Sequence, residues 1–535
     1  MRLATVLHMI GALLVALSAC MLLTLAVSLL SDDGIWRQWI SAFSLTLLSG
    51  IGLFVATGSA ASPSAKRETS DAFSALARAI RELRFRESPE GSGIGGALFQ
   101  VLGLFAQFTE PADDLRRSEG FAAVSIGWVA MAVFGAVPFL LSGSIPSITD
   151  AFFETMSGFT TTGASILTDI EALSPSILFW RSLTHWIGGM GIIVLSLAIL
   201  PFLGVGGMQL FRAEVPGPAP DRLQPRIKET AKLLWGVYVA LTVLEIVSLT
   251  IAGMPLLDSC CHAFGTLGTG GFSTKNGSIG AYDSAAIHWI IIVFMLFAGS
   301  NFTLHFMALR NRSIKGYLGD VEFRIYALVT IVVVATIFGI LQIGRSGTTD
   351  TNEAFRSAAF TVVSLSTSTG YATADYAQWA VLTHALLLIL MFVGGCAGST
   401  GGGFKMVRAV LLVRFTRIEL RRLLHPRAVI SVKYSNRRVP ESIIQNVLGF
   451  FLLYMIFLGL GAVCLTFFGI DLITAGTASL ACLSNIGPGL GDVGPTASYA
   501  WMPDAAKWLL AAWMLLGRLE IYTVLIFFAP ELWRR

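Results

Sequence analysis

Four short stretches of this chain join an apolar segment too brief to cross a bilayer to a turn rich in glycine and hydroxyl residues. The first runs from Asp150 to Phe159 and continues through Thr160, Thr161, Thr162, Gly163, Ala164 and Ser165. The second runs from Asp258 to Phe264 and then through Gly265 to Phe272. The third leads from Ala354 to Leu365 into Ser366 to Ala372, and the fourth from Leu472 to Leu483 into Ser484 to Gly489. With Gly163, Gly270, Gly370 and Gly487 as reference positions the spacings are 107, 100 and 117 residues, an internal repeat present four times. Irregular backbone at bilayer depth is tolerated only where protein or a wet cavity surrounds it, because lipid offers nothing to an unpaired carbonyl. Four such turns must therefore share one interior, where their carbonyl oxygens can replace the water shell of a dehydrated monovalent cation.

Residue types refine that chemistry. Glycine at the reference position adopts backbone angles that a side chain would forbid. Thr162, Thr269 and Thr369 stand immediately before it in three turns, and Ile486 in the fourth. One position earlier come Thr161, Gly268, Ser368 and Asn485, an uneven set that predicts looser selectivity than four identical turns would give. The short segments point their carboxyl ends at the shared cavity, and the negative end of each helix dipole favours a cation there. No carboxylate lies within the turns, which disfavours a divalent-ion site.

The elements that hold such turns must be membrane spans. Of 535 residues 54% are hydrophobic and only 13% charged, too few charges to cover several domains in water. Ten stretches reach the length a hydrocarbon core demands: 4–30, 38–58, 120–141, 177–203, 231–253, 286–308, 322–343, 378–412, 443–468 and 505–530. The expected fold is an all-α polytopic membrane protein. Two extra amino-terminal helices (1–60) and a cytoplasmic basic amphipathic loop (61–118) precede four pseudo-repeats of helix, re-entrant pore loop and helix around a central pore. These occupy 119–203, 204–308, 309–412 and, with a second cytoplasmic loop, 413–535. Basic residues crowd alternate loops, among them Arg78, Arg81 and Arg84, Arg222 and Arg226, Arg310 and Arg312, and ten Lys or Arg from Lys405 to Arg438. The positive-inside rule makes these loops and both termini cytoplasmic, and Arg534 and Arg535 agree. Leu17 to Cys20 looks like a lipoprotein cleavage box, but the apolar run continues to Leu30, so the segment is kept as a span. Six cysteines without ligand spacing give no zinc site or disulfide framework, and nothing implies a nucleic-acid partner.

Three further features ask for a role. The eighth stretch is interrupted by Gly394, Gly395, Cys396, Ala397, Gly398, Ser399, Thr400, Gly401, Gly402 and Gly403, and six glycines in ten positions, each costing up to about 1 kcal/mol, predict a broken helix. Beneath the turns such a break can lie across a conduction path; a structural kink is the alternative. A phosphate loop does not fit, because Phe404 separates Gly403 from Lys405 and no strand precedes it. Arg518 and Glu520 sit inside the last span, where charge is expensive, and being two residues apart each needs another partner. Arg181 and His185 share a helical face, and capping or interface anchoring is expected of both. The basic segments 63–92 and 405–438 suit lipid headgroups or a docked regulator.

The chain resembles the membrane subunit of the Trk/Ktr/HKT potassium-transporter superfamily, nearest its TrkH branch, over almost its whole length. The resemblance is carried by Thr160–Ser165, Arg181–Gly191, Ser366–Tyr371, Gly394–Gly403 and Ser484–Gly489. It implies a potassium-uptake pore in the bacterial cytoplasmic (inner) membrane, dimeric, with a cytoplasmic nucleotide-binding regulatory subunit of the TrkA type. It further implies that the glycine-rich segment is the intramembrane gate, with Arg518 facing the pore below the filter, and that glycine at all four reference positions favours potassium over sodium. No cofactor is implied; potassium is the substrate. A sodium- or proton-coupled symporter on the same fold remains open, with Glu245 and Glu520 as the main intramembrane carboxylates. An embedded enzyme or sensor lacks any nucleophile and base pair or metal cluster.

Overall fold

Apolar runs give the backbone no water to bond, so it closes on itself as helix. The computed structural model describes residues 2–61, 117–198, 223–344, 350–428, 430–435 and 437–530 as helices with one two-stranded hairpin. Helices α1 (Leu3–Ser31), α2 (Trp36–Ala61) and α3 (Arg117–Ser142) come first, followed by α4 (Ile148–Phe159), α5 (Pro175–Ala198), α6 (Leu223–Ile251) and α7 (Leu256–Gly268). Then come α8 (Ala285–Ala298), α9 (Phe302–Asn311), α10 (Lys315–Gly319), α11 (Val321–Gly344), α12 (Thr351–Ser366) and α13 (Val381–Val393). After α14 (Met406–Leu424) a hairpin pairs β1 (Lys433–Tyr434) with β2 (Arg437–Arg438), and α15 (Glu441–Phe467), α16 (Leu472–Ser484), α17 (Asp504–Arg518) and α18 (Tyr522–Phe528) complete the chain. The basic segment 63–92, Arg222, Arg534 and Arg535 lie outside the described residues.

The fold is all-α and polytopic. Among the described residues six helices (α1, α2, α3, α6, α11 and α15) are long and apolar enough to cross a membrane, or up to eight spans if each of two bent pairs counts as one. Two of the ten expected stretches are therefore not the continuous helices they look like. The sixth bends by 98° between α8 and α9, where the Asn301 side chain accepts from Thr303 N at 2.9 Å and starts a new helix. The tenth bends by 113° between α17 and α18, where Glu520 and Ile521 take left-handed φ of 56° and 26°. Hydropathy registers apolar length, not the local caps and backbone angles that end a helix inside it.

The chain divides into two compact units. One comprises 1–152, 174–180 and 523–535. In it α1 and α2 cross backbone to backbone: a methyl added at Gly11 would stand 2.6 Å from Phe54 N, and one at Gly50 2.9 Å from Val15 N, the close approach that small residues permit between membrane helices. Helix α1 runs unbroken through Leu17 to Cys20, and the Arg2 guanidinium donates to Glu119 at 2.9 Å. The other unit, 153–173 and 181–522, holds the four glycine turns. Each of the short helices α4, α7, α12 and α16 carries an aspartate at its start: Asp150 and Asp258 in the first turn, Asp350 and Asp471 as amino-terminal caps. These acids answer the positive helix ends. Hydrogen bonds from the side chain and amide of Thr474 and from the Ile473 amide hold the exposed Asp471 carboxyl below its ordinary value.

Candidate functional site: a ring of four turns

Each short helix ends in the same way. A residue in left-handed backbone follows it: Thr161 (φ 52°), Thr269 (55°), Ser368 (59°) and Asn485 (55°). The next amide reaches back five residues, from Thr162 to Ser157 O (2.8 Å), Gly270 to Gly265 O (2.8 Å), Thr369 to Ser364 O (2.8 Å) and Ile486 to Ala481 O (3.0 Å). Then comes a glycine of positive φ: Gly163 (82°), Gly271 (79°), Gly370 (83°) and Gly487 (91°).

This register corrects the sequence reading of the second turn by one residue. Gly271, not Gly270, stands with Gly163, Gly370 and Gly487; Gly270 matches Thr162, Thr369 and Ile486; Thr269 matches Thr161, Ser368 and Asn485. Gly268 is the last residue of α7 and drops out of the set. The correction alters the chemistry, because three hydroxyls and one amide now occupy the position two before the glycine, where the uneven set had included a bare glycine.

The turns abut in cyclic order. A methyl added at Gly163 would collide with the Gly270 carbonyl oxygen, at Gly271 with that of Thr369, and at Gly370 with that of Ile486; at Gly487 it would come within 2.7 Å of Thr162 O, so the fourth turn closes on the first. Glycine is required there both by the left-handed backbone and by the neighbouring carbonyl. Thr161, Thr162, Thr269, Ser368, Thr369, Asn485 and Ile486 are fully buried. Asn485 Nδ2 donates to Thr162 Oγ1 at 3.0 Å, binding the fourth turn to the first, and the Tyr499 hydroxyl donates to Gly487 O at 2.7 Å.

Arg181 and His185, expected to cap or anchor a helix, are instead buried against the second turn. Arg181 Nε donates to Glu154 Oε1 at 2.6 Å, its Nη1 donates to Ser273 O at 2.9 Å, and its guanidinium lies 3.6 Å from the Phe272 ring centre. Glu154 also accepts from Ser165 Oγ (3.0 Å) and the Ile166 amide (2.9 Å). The His185 ring stacks on Phe272 at 4.0 Å and fills the space a side chain at Gly270 would need. Glu154, which residue types alone do not single out, thus joins the exit of the first turn to that of the second. Glu154→Ala leaves the buried Arg181 charge without its carboxylate, so a loss of about 3–5 kcal/mol of stability is expected. Thermal unfolding of the purified variant in detergent checks it, and an unchanged midpoint would contradict it.

The glycine segment between α13 and α14 lies against the turns. Gly394, Gly398 and Gly403 have φ of 70°, 74° and 79°, so the helix breaks where expected. Thr400 Oγ1 donates to Leu267 O at 2.9 Å, and the Gly402 amide donates to Ser368 Oγ at 2.7 Å. A methyl at Gly401 would stand 2.9 Å from Thr367 O, and one at Gly402 would strike Ser484 O. Gly395 approaches Gly299, and the Ser399 hydroxyl turns back to Cys396 O at 2.6 Å. Arg518, 2% exposed, donates from Nη1 to Thr400 O at 2.7 Å and from Nη2 to Gly188 O at 3.0 Å. Gly188 in turn abuts Phe159 O, just before the first turn. Glu520 finds its separate partner in the Arg408 guanidinium. Among the described residues no group of His, Cys, Asp and Glu could hold a metal ion.

A protein with at least six helices long enough to cross a membrane and four like glycine turns in cyclic contact has the form of a transport protein rather than of an enzyme. A family model described as "TrkH: Cation transport protein" matches residues 94–535, and the chain belongs to that family. It is 47% identical over 426 residues to the Trk system potassium uptake protein TrkH of Salmonella typhimurium, covering 79% of this chain and 87% of that protein. It is 38% identical over 539 residues to the protein of the same name from Halomonas elongata, covering all of both chains. Its fold matches the crystal structure of the potassium transporter TrkH from Vibrio parahaemolyticus with a TM-score of 0.82 and 35% identity over the full length of both chains.

Proposed function

We propose that this chain carries potassium into the cell across the bacterial inner membrane, through a selectivity filter made of its four glycine turns. The observation that supports this most is the closed cyclic contact of Gly163, Gly271, Gly370 and Gly487 with the carbonyls of Gly270, Thr369, Ile486 and Thr162. Four peptide oxygens, one from each turn, can exchange for the hydration shell of a monovalent cation without any carboxylate. Buried oxygens on Thr161 and Asn485 that find no hydrogen-bond partner among the described residues suit an ion or its last waters next to the turns. The helix dipoles of α4, α7, α12 and α16 end at the ring and add negative potential. Counting α5 and the pair α13–α14 as spans restores ten, arranged as two leading helices and four repeats of helix, re-entrant loop and helix over 119–203, 204–308, 309–412 and 413–535, with both termini cytoplasmic. Gly394 to Gly403 is the intramembrane gate, closed by the contacts of Thr400, Gly401 and Gly402 and latched by Arg518. By likeness to the Trk proteins the chain works as a homodimer under a nucleotide-binding regulator of the TrkA type, which meets the basic cytoplasmic face around α14 and the β1–β2 hairpin.

Coupling to sodium or proton entry is a second reading on the same fold. Glu245 on α6 favours it, being fully buried with neither carboxylate oxygen hydrogen-bonded among the described residues, whereas Glu520 is engaged by Arg408. Reversal potentials that follow the potassium gradient alone would exclude coupling. For transport itself, cells lacking their own potassium systems are expected to take up rubidium and to grow on millimolar potassium only with the intact gene. No rescue by a well-expressed protein would contradict the proposal.

A further inference from the structure

Apart from the ring and Arg518, one buried carboxylate holds the glycine segment at its base. Glu322, in the first turn of α11 and 6% exposed, accepts through a single oxygen, Oε1, from the Ala397 amide at 2.7 Å and from the Val407 amide at 3.0 Å. Ala397 leads into Gly398–Gly403, the part that touches the turns; Val407 lies in the first turn of α14, whose free amides and positive dipole end favour an anion. The carboxylate therefore bridges the two ends of the loop across the residues between them. Residues on either side of Ala397 are bonded separately, along the break between α8 and α9. There the Cys396 amide donates to Gly299 O at 2.9 Å, the Phe302 amide to Gly398 O at 3.0 Å, and Thr400 Oγ1 to Ala298 O at 3.2 Å.

We propose that Glu322 is a positioning residue that sets the closed state of the glycine loop, acting through the backbone amides of Ala397 and Val407. The inference rests on the reading of that loop as the gate. Glycine supplies the loop with little stiffness of its own, so a charge-assisted bond to each end decides how readily Thr400 to Gly402 withdraw from the turns. Loss of the carboxylate releases both ends at once. A neutral amide in its place keeps an acceptor oxygen but gives up the charge that the α14 terminus attracts.

Cys396, buried and adjacent to Ala397, is a built-in reporter of this loop, and buried Cys261 and Cys482 report on the rest of the unit. The full-length protein, its Glu322→Ala variant and its Glu322→Gln variant are reconstituted in liposomes. Rubidium flux, the potassium-to-sodium ratio and peptide-resolved maleimide labelling of each cysteine are then measured. Glu322→Ala is expected to raise basal flux and Cys396 labelling on the order of tenfold. Glu322→Gln should fall between it and the unaltered protein, with the ion ratio and the labelling of Cys261 and Cys482 unchanged. Flux and Cys396 labelling at the original level would overturn the proposal, as would faster labelling of all three cysteines together, which marks Glu322 as a folding element. Faster Cys396 labelling with unchanged flux would uphold the tether and overturn the gate reading beneath it.

Discussion

Gly370→Ser should lower potassium selectivity by at least about tenfold against sodium and reduce rubidium uptake, with the protein still reaching the membrane. The residue holds φ at 83°, and its missing Cβ makes room for the carbonyl oxygen of Ile486 on the next turn. A serine there meets two penalties. Left-handed backbone costs a non-glycine residue about 1–3 kcal/mol, and the Ile486 carbonyl must move out of the ring. Each 1.4 kcal/mol is about a tenfold change in an equilibrium, so a modest displacement of one oxygen in four suffices. With one oxygen displaced potassium loses part of the shell that replaced its water, whereas sodium, which holds water more tightly, can pass with a water in the gap, so the preference narrows. Ion ratios measured from bi-ionic reversal potentials would test it, and ratios equal to those of the unaltered protein would remove the ring from the selectivity mechanism. The same substitution at Gly270 separates the two registers. There the obstacle is the His185 ring, and φ is not left-handed, so the damage should appear as misfolding of the second turn instead of altered selectivity.

Arg518→Ala should raise basal flux by about ten- to a hundredfold without changing ion preference. One guanidinium donates to Thr400 O in the glycine loop and to Gly188 O beside the first turn, so it ties the loop to the turns. Hydrogen bonds from a charged donor contribute about 1.5–3 kcal/mol each, and both are lost together. Arg518→Lys keeps the charge but offers a compact ammonium in place of a planar fork, so it cannot hold both carbonyls at their present separation and should leak at an intermediate level. Rubidium efflux from liposomes without any regulator measures both variants. Flux at or below that of the unaltered protein in Arg518→Ala would show that the residue supports conduction instead of closure.

Four short helices each running into a glycine turn, in this order, were legible in the sequence because each apolar segment is too short to span and the glycines that follow it end a helix. The break of the eighth stretch was legible for the same reason, since Gly394 to Gly403 cannot be helix. The register of the second turn was not. Gly268, Thr269, Gly270 and Gly271 offer three glycines, and matching Thr269-Gly270 to Thr162-Gly163 ignores that α7 runs to Gly268, a boundary set by packing. Partners of buried charges were likewise hidden. Arg181 and Glu154 stand 27 residues apart, and Arg408 and Glu520 stand 112 apart. A rule that every charge inside an apolar stretch must find an opposite one would have flagged all four residues, but only the fold says which pairs meet. The bends at Asn301 and at Glu520–Ile521 escaped hydropathy because one cap, or one pair of left-handed residues, decides them.

Diffraction from crystals grown in rubidium is the most direct test of the ring as an ion site. The anomalous signal should show a peak among the carbonyl oxygens of Thr162, Gly270, Thr369 and Ile486, at about the 3 Å expected when peptide oxygens replace water. A protein that takes up rubidium in vesicles yet shows its bound ion elsewhere, with the four carbonyls unoccupied, would contradict the mechanism at its root.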